Sequence, residues 1–296
     1  MSISKYEAFV NAVKYGSLTN AAKVMGYSQP GISKMIDSLE KEFDMTLFLR
    51  NGSSLELTDN GKNLLSYFQN VVKSNDDLIS AVNALKGILI GNVHIGAPNS
   101  IIQFYVPNII KAYSDAYPLI NIYLDEMPTV EVVHQLKTGN IDIGFTSEFK
   151  ESGLEFIPLF QDHVKLIMHK EHPFAAYDKV SIKMLNNTNF ISLPPEGRDL
   201  IDAVKTVEKF SPLVRFIVHS DSAAISMVAS RLGVYIISEM QCRFLPENVV
   251  SRSFEENVIR IKGIGLKSRK NASPAVKEMV KIAYSQIEIN GLTPVK

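Results

Sequence analysis

One stretch near the N-terminus carries the pattern of two short helices joined by a tight turn. Ser17 is placed to cap the first helix, and Gly26 stands where that helix needs a residue that accepts a left-handed backbone. Ser28 is suited to cap the second helix, and Pro30 is tolerated in its first turn because no intrahelical N–H partner is lost there. The spacing therefore predicts a helix–turn–helix over about Leu18–Asp37.

The second helix has an apolar face and a polar face. Its apolar side chains recur at helical spacing and are predicted to face inward; they are Ile32, Met35, Ile36 and Leu39. A helix that begins with hydrogen-bonding side chains on its outer face is the geometry that enters a DNA major groove. There the Gln29 amide can pair with adenine, the Ser33 hydroxyl suits several bases, and Pro30 can contact a thymine methyl group. The predicted DNA contacts are Ser28, Gln29, Pro30, Ser33, Lys34 and Arg50.

Two further elements complete this domain. Residues 4–15 predict a helix whose apolar stripe holds the other two in place. Residues 46–58 predict a wing, with short strands at 47–49 and 55–57 around the turn at 51–54. Lys34 is expected to contact phosphate, and Arg50 at the base of the wing is expected to reach the DNA backbone or the minor groove.

These positions also closely resemble a known family. About sixty residues match the N-terminal domain of LysR-type transcriptional regulators with almost no gaps in spacing. The matching positions are Phe9, Ser17, Leu18, Ala21, Ala22, Ser28, Gln29, Pro30, Ser33, Leu39, Glu40, Leu47, Phe48, Arg50, Leu57, Thr58 and Gly61. Asp44 departs from the pattern, since many members have glycine there, and this indicates a local change in the turn before the wing.

Charge does not point to nucleic acid by itself. The chain has a formal net charge of +0, and residues 1–58 hold six lysines and arginines against six aspartates and glutamates. The acids Glu40, Glu42 and Asp44 cluster beyond the end of the helix that would enter the groove. The prediction of DNA binding therefore rests on the helix–turn–helix pattern and not on a basic surface.

A long helix is predicted next, from a cap at Thr58 to about Lys86. Its apolar residues follow a seven-residue repeat that alternates steps of four and three, as in a coiled-coil seam. The seam residues are Leu64, Phe68, Val71, Asn75, Leu78, Val82 and Leu85. An ordinary amphipathic linker is the alternative interpretation. The resemblance implies pairing through this helix, and hence a homodimer or homotetramer.

From residue 92 onward, strands alternate with helices, which indicates parallel sheets covered by helices. Predicted strands lie at 93–96, 120–124, 141–145, 155–160, 164–169, 190–193, 214–218, 234–237 and 259–266. Predicted helices lie at 100–117, 129–137, 199–209, 221–231 and 274–289. This pattern resembles the two-lobed effector domain of the same family, which is similar to periplasmic binding proteins.

The predicted fold class is therefore α+β and multidomain. Residues 1–58 form a winged helix–turn–helix DNA-binding domain, and residues 59–90 form a linker and dimerisation helix with a hinge. Residues 91–296 form an effector-binding domain, with lobe I at about 91–161 and 267–296 and lobe II at about 162–266.

Three loops suggest where a ligand binds, because open α/β sheets bind ligands beyond the carboxyl ends of their strands. The candidate effector contacts are Asn99, Ser100, Ile101, Thr146, Ser147, Pro194 and Glu196. Helix capping is the alternative role for Asn99 and Ser100. Hydrogen bonding to their own loop backbone is the alternative role for Thr146 and Ser147.

No enzyme or metal motif is found. GxSxG, a glycine-rich phosphate loop and HExxH are all missing from the sequence, so we expect neither catalysis nor a cofactor. His163, His169 and His172 are close in the chain, but no cysteine supports them as a metal site. The single cysteine, Cys242, is expected to be a small buried side chain rather than a redox sensor.

Taken together, the pattern and the resemblance predict a sequence-specific transcriptional regulator controlled by a small-molecule effector. No apolar run approaches 18 residues and the N-terminus is mixed and polar, so a cytoplasmic protein without a membrane partner is expected. The resemblance implies promoter DNA, a second copy of the chain, an effector and RNA polymerase as partners. Two alternatives stay open: a small-molecule-binding protein whose N-terminal helices are a docking module, and an architectural DNA-binding protein without effector control.

Overall fold

The computed structural model describes residues 2–51, 54–86, 88–197, 199–289 and 291–295. The side chains of Arg50, Asn51, Ser54 and Glu288 lie outside this description. The chain divides into two compact units, one built from residues 1–91 and the other from the remainder, apart from the short segment 138–140 that groups with the first. Each unit has its own hydrophobic core.

The first unit is a bundle of helices with a two-stranded wing. Its elements are α1 (Ile3–Lys14), α2 (Leu18–Met25), α3 (Gln29–Phe43), β1 (Phe48–Asn51), β2 (Ser54–Leu57) and α4 (Asp59–Leu85). The two strands are antiparallel, with Phe48 opposite Leu57. Aromatic rings fill the core, where Phe68 of α4 stacks on Tyr6 and meets Phe9 edge-on.

The helix boundaries follow the predicted caps. The hydroxyls of Ser17, Ser28 and Thr58 each accept the backbone N–H three residues ahead, at 3.0 to 3.2 Å. Gly26 ends α2 with a φ of 70°, and Asp44 ends α3 with a φ of 52°. Both are left-handed conformations, which explains why glycine is frequent at such positions.

The second unit is a two-lobed α/β structure. Its first elements are β3 (Gly91–Ala97), α5 (Asn99–Phe104), α6 (Val106–Ala116), β4 (Ile120–Glu126), α7 (Thr129–Thr138), β5 (Ile143–Ser147), β6 (Glu155–His169), β7 (Lys179–Val180) and β8 (Asn189–Ser192). They are followed by α8 (Asp199–Val207), β9 (Leu213–Ile217), α9 (Asp221–Ala229), β10 (Tyr235–Ser238), β11 (Val249–Phe254), β12 (Ile259–Leu266), α10 (Pro274–Ile289) and β13 (Thr293–Pro294).

The strand β6 passes through both lobes. Its first half pairs with β12 in the sheet of lobe I, which is ordered β4-β3-β5-β12-β6. Its second half pairs with β10 and β11 in lobe II, where β8 and β9 form a parallel pair. Lobe II has apolar clusters on both faces, one under α8 and one under α9. Strand ends from the two lobes are thereby brought to one cleft.

Three predictions about this unit are wrong. The helix predicted over 100–117 is two helices that meet at Tyr105, because Pro107 lacks the N–H and the space that a continuous helix requires. The strands predicted at 155–160 and 164–169 are one continuous strand. The sheets are mixed rather than parallel, since β12 runs antiparallel to both β5 and β6. Strands β7, β11 and β13 were not predicted.

Among the helices in the described ranges, none combines the length and the apolar composition that a membrane span needs.

Candidate functional site

The start of α3 forms an exposed polar surface on the first unit. Gln29, Pro30 and Lys34 are exposed, and Ser33 is half-buried. Ile32, Ile36 and Leu39 on the opposite face of the helix are fully buried. The Ser28 hydroxyl accepts the Gly31 N–H at 3.2 Å, which leaves its own proton available to donate. Side chains of the types that contact bases and phosphates are thus held on a rigid helix.

The wing is fixed to this helix by Glu40. Its carboxylate accepts the backbone N–H groups of Leu47 at 2.6 Å and Phe48 at 3.0 Å, immediately before and within β1. Gly61 of α4 lies directly against the same segment, since a Cβ there would be 2.3 Å from the Leu47 carbonyl oxygen. Glu40 therefore acts in positioning the wing, a role that its matching position did not reveal.

Part of the predicted DNA surface is outside the described residues. This applies to Gly52 and Ser53 of the wing turn and to the side chain of Arg50.

A cleft of about 430 Å³ lies between the lobes of the second unit, within the size range of small-molecule sites. The loops after β3 and β4 form the lobe I side of the cleft, and the loops after β8 and β9 form the lobe II side. Its polar lining includes Asn99, Ser100, Glu126, Thr129, Glu196, Asp199, His219, Asp221, Gln241 and Arg260.

An ion pair crosses the floor of the cleft. The Arg260 guanidinium donates to the Asp199 carboxylate at 2.6 Å and also to the Ser147 hydroxyl. Thr129 from lobe I donates to the same Asp199 oxygen at 3.2 Å. Burial acts to raise the pKa of Asp199, but the nearby cations of Arg260 and Lys262 and the hydrogen bonds hold it below its usual range. Asp199 is therefore a carboxylate at neutral pH and ties the lobes together.

A buried lysine lies beneath this ion pair. Lys262 has only 1% of its side chain exposed; its ammonium donates to Ser147 at 2.9 Å and lies 4.0 Å from an Asp162 oxygen. Burial and the adjacent Arg260 lower the pKa of Lys262 to about 8, against the attraction of Asp162, Asp199 and Asp221. Asp162 accepts the Ser238 hydroxyl at 2.7 Å through its other oxygen.

A row of four polar residues forms one wall of the cleft. Asn99 donates to Glu126 at 3.1 Å and accepts from Gln241 at 3.4 Å. Gln241 in turn donates to Asp221 at 2.9 Å, and Asp221 accepts the Tyr235 hydroxyl at 2.6 Å. We call these four residues, Glu126, Asn99, Gln241 and Asp221, the acceptor row. It links the first helix of lobe I to helix α9 of lobe II.

The predicted ligand residues separate into two groups. Asn99, Ser100, Pro194 and Glu196 line the cleft. Ile101 does not, because its side chain is buried in the core and its N–H is donated to the Pro98 carbonyl at 3.0 Å. Thr146 and Ser147 are also buried, and they lie beneath the cleft rather than in its lining. Neither Asn99 nor Ser100 caps a helix through its side chain.

Several cleft residues were not predicted from the sequence, namely Glu126, Thr129, Asp199, Asp221, Gln241 and Arg260. One signal was present for Arg260. It alternates with Lys262 in the otherwise apolar strand IRIKGIGL, and cations on the buried face of a strand need nearby partners.

Two family models match this chain. The model described as "Bacterial regulatory helix-turn-helix protein, lysR family" matches residues 3–62, and the model described as "LysR substrate binding domain" matches residues 87–286. The chain belongs to the LysR family of transcriptional regulators. Because the DNA-binding model covers the N-terminal helices, the docking-module alternative for this LysR-type regulator is set aside.

Curated relatives match this LysR-type regulator over part or nearly all of its length. The uncharacterized HTH-type transcriptional regulator YvbU of Bacillus subtilis is 30% identical over 96% of this chain and 98% of its own length. A probable RuBisCO transcriptional regulator of Thalassiosira pseudonana is 31% identical over 60% of both chains.

Solved structures show the same fold. Full-length OxyR C199D from Pseudomonas aeruginosa is 23% identical and superposes with a TM-score of 0.78, over 98% of this chain and 95% of its own. Full-length CbnR in complex with its target DNA is 19% identical, with a TM-score of 0.69 over 96% and 99% of the two chains.

The predicted seam of the linker helix of this LysR-type regulator has different surroundings in the first and second halves of α4. Leu64 and Phe68, both predicted for the dimer seam, pack into the core of their own chain, because α4 must cover α1. Farther along, the predicted seam residues Val71, Leu78, Val82 and Leu85 are exposed, with Leu85 at 90%. Tyr67 and Ile79 add to this exposed apolar surface and were not predicted.

The cysteine and the histidines have ordinary structural surroundings. Burial raises the pKa of Cys242 to about 11, so its thiol stays protonated at neutral pH. His169 and His172 accept backbone N–H groups through their Nδ1 atoms, and His163 lies beside a second cavity in the same unit. Within the described ranges, no group of three or more His, Cys, Asp or Glu side chains is placed to hold a metal ion.

Proposed function

We propose that this LysR-type regulator reads spaced, partly palindromic half-sites through α3, one half-site for each recognition helix. The observation that carries this proposal is the exposed start of α3, where Gln29, Pro30 and Lys34 are presented on a helix whose other face is fully buried. Gln29 and Ser33 contact base edges, and Lys34 contacts phosphate.

The test begins by selecting genomic DNA fragments that the purified full-length protein binds, which identifies an operator. Gln29→Ala and Ser33→Ala are then expected to reduce discrimination between operator and random DNA by about 1–3 kcal/mol. Lys34→Ala is expected to weaken binding to both DNAs alike and to lower the salt slope by about one. Equal losses on random DNA for all three variants contradict the assignment of base contacts.

We also propose that the chain pairs with a second copy through the exposed stripe of α4. Val71, Leu78, Val82 and Leu85 lie on one side of that helix and leave a large apolar surface uncovered in a single chain. Asn75 lies between them as the polar residue of the seam. A dimer or tetramer would place two or four recognition helices on one operator.

Sedimentation of the full-length chain tests this pairing. We expect a dimer or tetramer for the unmodified protein and a shift toward the monomer for Leu78→Glu, because the new charge would be buried at the seam. Gln69→Glu adds a charge half a helical turn around α4 from Leu78, with little change in shape, and serves as the control. A monomeric wild-type protein at micromolar concentration would contradict the proposal.

The cleft is proposed as the effector site. Its volume of about 430 Å³, its polar walls and its position between two lobes support control by a small molecule that favours one lobe arrangement. The Ser100 hydroxyl lines the cleft and makes no hydrogen bond within the described part of the chain. An effector would bind there and shift the balance between assemblies that space the half-sites differently.

Thermal unfolding of the full-length protein against a metabolite panel tests this role. A ligand present at a hundred times its Kd should stabilise the protein by about 2.7 kcal/mol. Its effect should weaken in Ser100→Ala, and its addition should alter the DNA footprint. A ligand that acts equally on wild type and Ser100→Ala binds elsewhere.

We further propose that the protein acts in the cytoplasm, with RNA polymerase as its partner at the promoter.

A further inference from the structure

We infer that the cleft takes a small molecule that carries a protonated amine, held by the acceptor row. This inference rests on the proposed role of the cleft as the effector site and names the chemical class of its ligand. It differs from the expectation that a cleft beside helix N-termini binds an anion.

The first step of the argument is the charge of the lining. Four carboxylates line the cleft, from Glu126, Glu196, Asp199 and Asp221. Against them the described lining places one guanidinium, that of Arg260, and the imidazole of His219. A carboxylate ligand would enter a space that already holds an excess of like charge, whereas an ammonium group would offset it.

The second step is that the two cations described at this site, Arg260 and Lys262, are already engaged; Arg198, between the lining residues Gly197 and Asp199, lies outside the described residues. Arg260 has 8% of its side chain exposed and donates to both Asp199 and Ser147. Lys262 is buried under the ion pair and donates to Ser147 beside Asp162. To bind a ligand carboxylate, Arg260 would first have to release Asp199.

The third step is an acceptor without a donor. Gln241 lines the cleft with 2% of its surface exposed, and its Oε1 receives no hydrogen bond from any described residue. Its amide orientation is set by the carboxylate of Asp221, because only the nitrogen can donate to Asp221 at 2.9 Å. The oxygen is therefore left as a buried acceptor, and a buried acceptor is stabilised when a donor reaches it.

The acceptor row brings these features together. Glu126 and Asp221 stand at its two ends, and the Gln241 amide, whose oxygen is unsatisfied, is bonded to Asp221 through its nitrogen. An ammonium group has three donors and no acceptor. Because the Asn99 and Gln241 amides separate the two carboxylates, one ammonium would contact either Glu126 or Asp221, and the Gln241 amide is bonded directly to Asp221. Ser100, next to Asn99 in the chain, supplies a hydroxyl for a second polar group of the same ligand.

Matched pairs of simple probes test the inference without knowledge of the natural effector. Thermal unfolding of the full-length protein is measured with butylammonium chloride against sodium butyrate, and with phenethylammonium chloride against sodium 3-phenylpropionate, at equal ionic strength. We expect the amines to stabilise the wild type and to bind at least tenfold more tightly than the acids. Equal stabilisation, a preference for the acids, or no response to the amines overturns the inference.

Variants assign the effect to the acceptor row. Asp221→Asn keeps the shape of the side chain but removes its charge, and it should weaken amine binding at least tenfold. Glu126→Gln is a second test at an exposed position that carries little risk to folding. Glu247→Gln neutralises an exposed carboxylate outside the cleft and should leave amine binding unchanged. Amine binding that survives both Asp221→Asn and Glu126→Gln overturns the inference.

The failure of this inference can be told apart from the failure of the proposed function. The same wild-type preparation is tested for operator selection from genomic DNA. If an operator is selected but amines are not preferred, the inferred ligand class is wrong and the proposed DNA-binding function is supported. If amines bind at the acceptor row but no DNA is selected, the inferred ligand class is supported and the proposed DNA-binding function is wrong.

Discussion

The Arg260 guanidinium and the Asp199 carboxylate form an ion pair of 2.6 Å that connects the strand β12 to the first turn of α8. Arg260 is almost fully buried, whereas 38% of the Asp199 side chain is exposed. Because Lys262 lies beneath the pair, Asp199 compensates a site that holds two cations. Asp162 lies beside Lys262 but not beside Arg260 among the described contacts, so loss of Asp199 should leave the Arg260 guanidinium without its carboxylate partner.

Asp199→Ala is expected to lower the free energy of unfolding by about 1–3 kcal/mol. The loss follows from leaving Arg260 buried without its partner, and partial exposure of Asp199 keeps it below the full cost of breaking a buried pair. Urea unfolding of the second unit measures it. Asp202→Ala is the control, since it removes an exposed carboxylate from the same helix turn and should change stability by less than about 0.5 kcal/mol. Equal effects of the two variants would contradict the role of the ion pair.

Lys262 makes the stability of the second unit depend on pH above neutrality. Its pKa is about 8 in the folded chain and 10.5 in the unfolded chain. The unfolded state therefore binds this proton more tightly than the folded state does. Protonation of Lys262 lowers the free energy of unfolding below pH 8, and this loss is recovered as the pH rises from 8 to 10.5. The recovery is on the order of 3 kcal/mol.

The measurement compares unfolding of wild type and Lys262→Met between pH 7 and 10.5. All other ionisable groups are common to the two proteins, so their contributions cancel in the difference. Wild type should gain stability relative to the variant through this window. A difference that stays constant with pH would show that Lys262 keeps its ordinary pKa.

Gly61→Ala should destabilise the first unit by about 1–3 kcal/mol. The added Cβ would lie 2.3 Å from the backbone carbonyl oxygen of Leu47 and 2.9 Å from the Leu57 side chain. Thermal unfolding, followed with operator affinity, detects the loss. Asn60→Ala is the matched control because Asn60 is exposed one position earlier in the same helix. If both variants unfold at the same temperature, the contact between Gly61 and Leu47 leaves room for a Cβ, which contradicts the prediction.

Asp44→Gly should stabilise the first unit by about 0.5–1 kcal/mol. Asp44 has a φ of 52° at the end of α3, and glycine adopts this left-handed backbone without the strain that a Cβ creates. Chemical unfolding of the two proteins measures the gain. Asp44→Ala keeps the Cβ and should bring no gain, so stabilisation by alanine as well would assign the effect to charge rather than to backbone conformation.

The sequence by itself determined the local elements and the family. Helix caps at Ser17, Ser28 and Thr58, the left-handed end at Gly26, and the final strand and helix at 259–266 and 274–289 follow from short-range patterns. Such patterns depend on neighbours within a few residues, so they can be recognised without a fold. The helix predicted over 100–117 is the exception, because Pro107 divides it into two helices.

Only the tertiary structure decided how distant polar residues meet in the cleft. Asp199 lies 61 residues from Arg260, and Gln241 lies 142 residues from Asn99. Their contacts arise because β6 and β12 pass between the lobes and bring strand ends from far apart in the chain to one place. The same reason explains Phe68, whose seven-residue spacing fits a dimer seam but whose ring is needed in the core of its own chain. Spacing identifies the face of a helix, and the packing of the whole chain decides what that face contacts.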